Sequence, residues 1–267
     1  MNPRDAKGQS RWLLYVGGGC IATGLVVGPL LMSGLVGSDT APRGDAPSSD
    51  QQPGGPSATD GGATVGVEGT GPEVVSWGQE GRQVAVVVRN DRDQFLDEAR
   101  VRITGRSASG RVVVSTIGTD YNVCCTVFGL APGEEFAVYA PIRPGADQVA
   151  DVAVEYVSTD FRAVRDEEAR LTTSQARLVR TADNTVVSAL LRAEGPVDDF
   201  VAAQAVLVDP DGDVAQVISG RYWCYEPGTR RRIRLELFRA VPEGLRLDKV
   251  LAHSIPDGVR TGTKGVC

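Results

Sequence analysis

Arg230, Arg231, Arg232 and Arg234 lie almost side by side in the chain, so four guanidinium groups are available within one short segment. A guanidinium binds carboxylate or phosphate oxygens through paired, charge-assisted hydrogen bonds, so this segment suits an acidic protein, an anionic glycan or a phospholipid headgroup. Just upstream stands Tyr222-Trp223-Cys224-Tyr225, and earlier Tyr121-Asn122-Val123-Cys124-Cys125. If the two segments converge, their aromatic rings offer a rigid recognition surface and their cysteines a means of fixing it. Binding candidates are therefore Arg230, Arg231, Arg232, Arg234, Tyr121, Tyr222, Trp223 and Tyr225. Cys124, Cys125, Cys224 and Cys267 are the candidates for disulfides, which persist in an oxidising compartment.

Catalytic chemistry is less well provided for. The one histidine, His253, has no cysteine or histidine near it in sequence, so it reads as structural rather than as a metal ligand. Asp209, Asp211 and Asp213 carry hard oxygens, but they lack the later glutamate of an EF-hand loop and fit a reverse turn. No catalytic residue, metal ligand or cofactor site is assigned. A net charge of −6 and a pI near 5.0 argue against nucleic acid as a partner.

These residues sit within a strand-rich pattern. Val84, Val86 and Val88 alternate, as do Val101 and Ile103, Val112 and Val114, Phe136, Val138 and Ala140, and Val152, Val154 and Tyr156. Alternation puts such side chains on one face of a half-buried sheet. The second half repeats the rhythm with Val187, Ala189 and Leu191, then Ala203, Ala205 and Leu207, then Ile233, Leu235 and Leu237. The turn signals Pro132-Gly133 and Pro227-Gly228 precede corresponding strands, so two related units of about 90 residues are expected. The fold class is all-β, with two sandwich modules over 74–160 and 175–256. Their strand spacing resembles immunoglobulin-like or fibronectin-like sandwiches, although the core cysteine, tryptophan, cysteine arrangement of antibody domains is missing. Residues 161–174 form a charged connector or short helix, and 257–267 a tail.

The N-terminal part supplies the setting. Residues 12–38 contain no Asp, Glu, Lys or Arg. At about 1.5 Å per residue a helix of this length crosses about 30 Å of hydrocarbon. Arg4, Lys7 and Arg11 precede it and Asp39, Asp45 and Asp50 follow, which predicts a cytoplasmic segment 1–11 and an extracytoplasmic remainder. Cleavage after Ser38, as in a secreted protein, is the lesser alternative. Gly24 and Gly28 share one helix face and allow a second helix to approach, hence a homo-oligomer. Residues 39–73, rich in Gly, Pro, Ser and Asp, read as a flexible tether. The whole predicts a single-pass membrane protein presenting an interaction or scaffolding module to an envelope or membrane protein. The alternative is a cell-envelope carbohydrate-binding or hydrolytic protein that contacts an anionic glycan.

Overall fold

The computed structural model describes residues 71–118, 125–197 and 199–256. The predicted span at 12–38 with Gly24 and Gly28, and Tyr121, Cys124 and Cys267, lie outside them. The strands of the first half are β1 (Glu73–Glu80), β2 (Gln83–Arg89), β3 (Phe95–Arg106), β4 (Val112–Ser115), β5 (Thr126–Leu130), β6 (Glu135–Pro141) and β7 (Asp151–Arg162). Those of the second are β8 (Arg170–Arg180), β9 (Thr185–Glu194), β10 (Asp199–Val208), β11 (Val214–Tyr225), β12 (Arg230–Leu237) and β13 (Arg246–Ser254).

All the pairings between these strands are antiparallel, and they form four sheets. Sheet I has β3 between β7 on one side and β4 and β5 on the other; sheet II is β1-β2-β6. Sheet III is β11-β10-β13 and sheet IV is β12-β9-β8. One apolar cluster, including Val84, Val86, Leu96, Ile103, Phe136 and Val154, fills the space between sheets I and II. A second, including Val187, Leu191, Ala203, Leu207, Ile233 and Leu235, lies between sheets III and IV. A third joins Ala85, Val87 and Ala137 of sheet II to Val206, Val208, Val214 and Val217 of sheet III. The sheets therefore stack in the order I, II, III, IV, in a β-sandwich-type arrangement.

This stacking corrects the expectation that β2 is half-buried. Val84 through Val88 are all at most 1% exposed, because Val84, Val86 and Val88 face sheet I while Ala85 and Val87 face sheet III. An uninterrupted apolar run is the pattern of a strand covered on both faces. On β10, Ala203, Ala205 and Leu207 face sheet IV, and Val206 and Val208 face sheet II.

Sheets II and IV repeat each other strand by strand. Counted from Gly133 and Gly228, Val86 faces Val138 as Ala189 faces Ile233, and Val87 faces Ala137 as Leu190 faces Arg232. Ala85 faces Tyr139 as Ser188 faces Arg234, and on the third strand Gly78 faces Ala85 as Arg177 faces Ser188. Sheet IV is thus the counterpart of sheet II, and sheet III of sheet I. The halves are stacked head to tail, so the outer faces of sheets I and IV form the two ends of the stack.

Two glutamines lock the seam reciprocally. Gln204 of β10 accepts from the Ala137 N–H at 3.0 Å and donates to the Ala137 carbonyl at 2.5 Å. Gln83 of β2 accepts from the Val217 N–H at 2.7 Å and donates to the Val217 carbonyl at 3.1 Å. Each side-chain amide completes the free edge of a strand in the other half. Gln204→Ala should cost about 2 kcal/mol, since it leaves a buried N–H and carbonyl without partners. Equilibrium urea unfolding measures it, and a loss below about 0.5 kcal/mol would show that Gln204 is not a lock.

The connection between halves is shorter than 161–174 and contains no helix. Strand pairing keeps Phe161 and Arg162 in β7 and begins β8 at Arg170, leaving only 163–169 free of strand. Arg162 holds this segment: it pairs with Asp97 at 2.9 Å and Glu168 at 2.8 Å, and its guanidinium lies 4.1 Å from the Phe95 ring centroid. The hydrogen bond from Arg162 holds the Glu168 carboxyl below its ordinary range, with a further backbone donor at Arg165.

Candidate recognition face

β12 shows how the arginines are presented. Ile233 and Leu235 point into the core, 2% and 1% exposed, so Arg232 and Arg234 project from the opposite side of the strand into solvent. β12 pairs with β9 along its whole length, placing Arg230 opposite Arg192, Arg232 opposite Leu190 and Arg234 opposite Ser188. β9 in turn places Thr172, Ser174 and Arg177 of β8 beside those three positions. The outer face of sheet IV therefore carries Arg177, Arg192, Arg230, Arg232 and Arg234 interspersed with hydroxyls. Sequence reasoning missed Arg177 and Arg192, which stand far from the others in the chain; their signal was alternation with buried neighbours on β9 and the turn into β8.

Only part of this charge is balanced locally. Arg192 pairs with Glu194 at 2.7 Å and Arg234 with Glu236 at 3.2 Å. The Glu236 carboxyl is held low by Arg234 first and by Asn184 second. Gln175 sits at a bulge in β8 with a positive φ of 51°, and its side-chain oxygen accepts from Arg232 at 3.1 Å. The bulge thus turns a neutral acceptor toward Arg232. Among the described residues, Arg177 and Arg230 have no acidic partner. The opposite end of the stack differs. On sheet I, Arg102 faces Glu155 and Arg106 faces Asp151 in register, and Arg102–Glu155 and Arg100–Glu98 form ion pairs at 2.9 Å and 3.0 Å.

The β11–β12 hairpin brings the sequence-predicted aromatics to the arginine strand. The Tyr222 hydroxyl donates to the Arg234 carbonyl at 2.7 Å, and burial pushes its pKa up to about 12. Arg231 donates to the Trp223 carbonyl at 2.8 Å, and its guanidinium lies 4.5 Å from the Tyr225 ring centroid. Tyr225 is fully buried, so it supports the hairpin from within and offers no ring to solvent, whereas Trp223 is 53% exposed. Arg231 is thus engaged in holding the hairpin.

Cys125 and Cys224 are both disulfide-bonded. Cys125 lies just before β5, and Cys224 lies near the end of β11. Each has a positive φ, 74° and 64°. His253 is only 4% exposed, with its ring 5.0 Å from that of Phe136. Asp209 forms the β10–β11 turn by accepting from the N–H groups of Asp211, Gly212 and Asp213 at 2.9–3.0 Å. A cleft of about 410 Å³ lies beside β4, lined by Val112–Ser115 and residues 143–146. Its rim residue Arg111 is neutralised by Asp147 at 2.5 Å.

The fold and this face describe an all-β protein of four antiparallel sheets with one strongly basic end. No family model, curated protein sequence or solved structure matches the chain.

Proposed function

We propose that this chain is a membrane-anchored extracytoplasmic interaction module, in which two immunoglobulin-like or fibronectin-like sandwiches hold a partner at the cell envelope. One observation carries the reading. At the positions where sheet II has Gly78, Ala137 and Tyr139 packed against the second half, sheet IV has Arg177, Arg232 and Arg234. Capping a stack against further stacking requires only polar residues; a five-arginine array, of which Glu194 and Glu236 balance two, goes further and supports recognition of an anion. The uncharged stretch 12–38, with basic residues before it and acidic residues after it, supports an anchor with this face outside the cytoplasm. The tether at 39–73 would give reach, and the Gly24/Gly28 pair would let anchors associate. The partner in this reading is an envelope or membrane protein with an acidic surface, and the module acts as a scaffold.

Protease treatment of intact cells tests the topology. Cleavage within residues 163–169 by external protease is the expected result. Protection until the membrane is disrupted would overturn the proposal. A second reading, binding of an envelope carbohydrate, is favoured by the placement of Thr172, Ser174 and Ser188 hydroxyls among the arginines.

A further inference from the structure

We infer that the outer face of sheet IV binds a linear anionic polysaccharide, whose carboxylate or phosphodiester groups seat on Arg177, Arg192, Arg230, Arg232 and Arg234. This rests on the second reading above, in which that face takes an envelope carbohydrate rather than an acidic protein surface, and it names the chemistry of that carbohydrate.

Sheet IV holds an unfavourable pairing. Arg230 and Arg192 stand directly opposite each other on neighbouring strands. Like charges in this relation destabilise a sheet. Glu194 neutralises Arg192, but Arg230 has no acidic partner among the described residues, and neither does Arg177. Sheet I shows that the same fold readily places acids opposite arginines, at Arg102/Glu155 and Arg106/Asp151. Arg177 and Arg230, left without such acids among the described residues, are suited to a counter-anion supplied from outside.

Spacing gives the shape of the ligand. Arg230, Arg232 and Arg234 occupy alternate positions of one strand, roughly 6.7 Å apart, with β9 about 4.8 Å away and β8 a further strand beyond. A lattice of this kind matches repeated charges along a polymer better than one isolated anion. All the cations are arginine, whose planar fork matches carboxylate and phosphate oxygens two at a time. Between them lie Thr172, Ser174 and Ser188, which can exchange hydrogen bonds with sugar hydroxyls.

Two other occupants fit less well. Protein interfaces concentrate their binding energy in buried aromatic and apolar anchors. Here β8, β9 and β12 hold no aromatic residue, and Leu190, the apolar residue among the arginines, is half-buried. A membrane surface would call for exposed apolar side chains that enter the headgroup layer. Of the exposed ones nearby, Val179 and Phe238 stand at the end of the sheet away from Arg230, and Trp223 belongs to β11 of sheet III rather than to the arginine face.

The test uses the purified full chain in neutral detergent micelles. Binding is measured to polygalacturonate, to phosphomannan, to neutral dextran, to polyglutamate and to phosphatidylglycerol vesicles. We expect saturable binding to polygalacturonate or phosphomannan, whichever carries the matching anion, and none to dextran. The double variant Arg177→Ser/Arg230→Ser, which removes no ion pair of the described residues, should weaken that binding about tenfold. Arg100→Ser on sheet I should leave it within about twofold. The inference is overturned if neither polysaccharide binds, if the double variant binds as well as the wild type, or if polyglutamate or vesicles bind more tightly than both polysaccharides. Tighter binding of polyglutamate would identify an acidic protein as the occupant, and tighter binding of the vesicles the membrane. Because this assay needs no cell, its failure is separate from that of the topology test.

Discussion

Gly78→Ala is expected to destabilise the protein by about 3 kcal/mol, the upper part of the usual range for overpacking. Gly78 lies on β1 where that strand meets the start of β11, and an added Cβ would run into the Val214 carbonyl group. Its φ is not in the left-handed region, so the constraint is closeness alone. A carbonyl oxygen cannot rotate out of the way as a side chain can, so β1 or β11 must shift and strain the neighbouring Gln83–Val217 hydrogen bonds. Gly105→Ala is the control. There an added Cβ would meet the Val114 Cβ and a Val149 methyl at 3.2 Å, an overlap that a movement of a few tenths of an ångström relieves. Urea unfolding of both variants decides the matter; if Gly78→Ala were no worse than Gly105→Ala, the close approach of the two halves at β1 and β11 would be wrong. The corresponding position in the second half is Arg177, which is open to solvent and should accept alanine with little loss of stability.

Acid should weaken the fold through His253, by about 3 kcal/mol between pH 7 and pH 4. Burial drives the His253 pKa down from 6.5 to about 4, and the backbone of Gly129 and Glu135 acts in the other direction without reversing it. The unfolded chain takes up a proton near pH 6.5, whereas the folded chain refuses it until about pH 4. Between those values the unfolded state holds more protons, so stability falls as pH falls. At about 1.4 kcal/mol per pKa unit, a difference of roughly two and a half units gives the stated loss. Well below pH 4 both states are protonated and this contribution changes no further. Glu168 and Glu236, whose carboxyls are also held low, add their own acid sensitivity. His253→Leu isolates the histidine, because the variant keeps those carboxylates and loses only the imidazole. Unfolding free energies at pH 7, 5.5 and 4 should decline less steeply for the variant; parallel curves would refute a buried neutral His253.

His253 also shows why burial escapes sequence reading. It follows Leu251-Ala252 near the end of an apparent strand, a place that suits a surface histidine equally well. The β13 strand pairs with β10, carrying His253 opposite Ala202 and onto the Phe136 ring of the first half. That contact depends on how the halves stack, and the local alternation of side chains carries no record of it.

The sequence by itself determined the all-β class, the turn at Asp209–Asp213 and the direction in which Arg232 and Arg234 project. These are local consequences of turn chemistry and of a side-chain period of two, so neighbouring residues suffice to specify them. Only the tertiary structure decided that Arg177 and Arg192 join that face, that Tyr225 serves the interior, and that Gly78, Gln83 and Gln204 form the seam. Each of those facts brings together residues distant in the chain through strand pairing and sheet stacking. The same local pattern of alternating residues leads to an apolar, covered face in sheet II and a basic, open one in sheet IV, because covering depends on what stacks against the sheet.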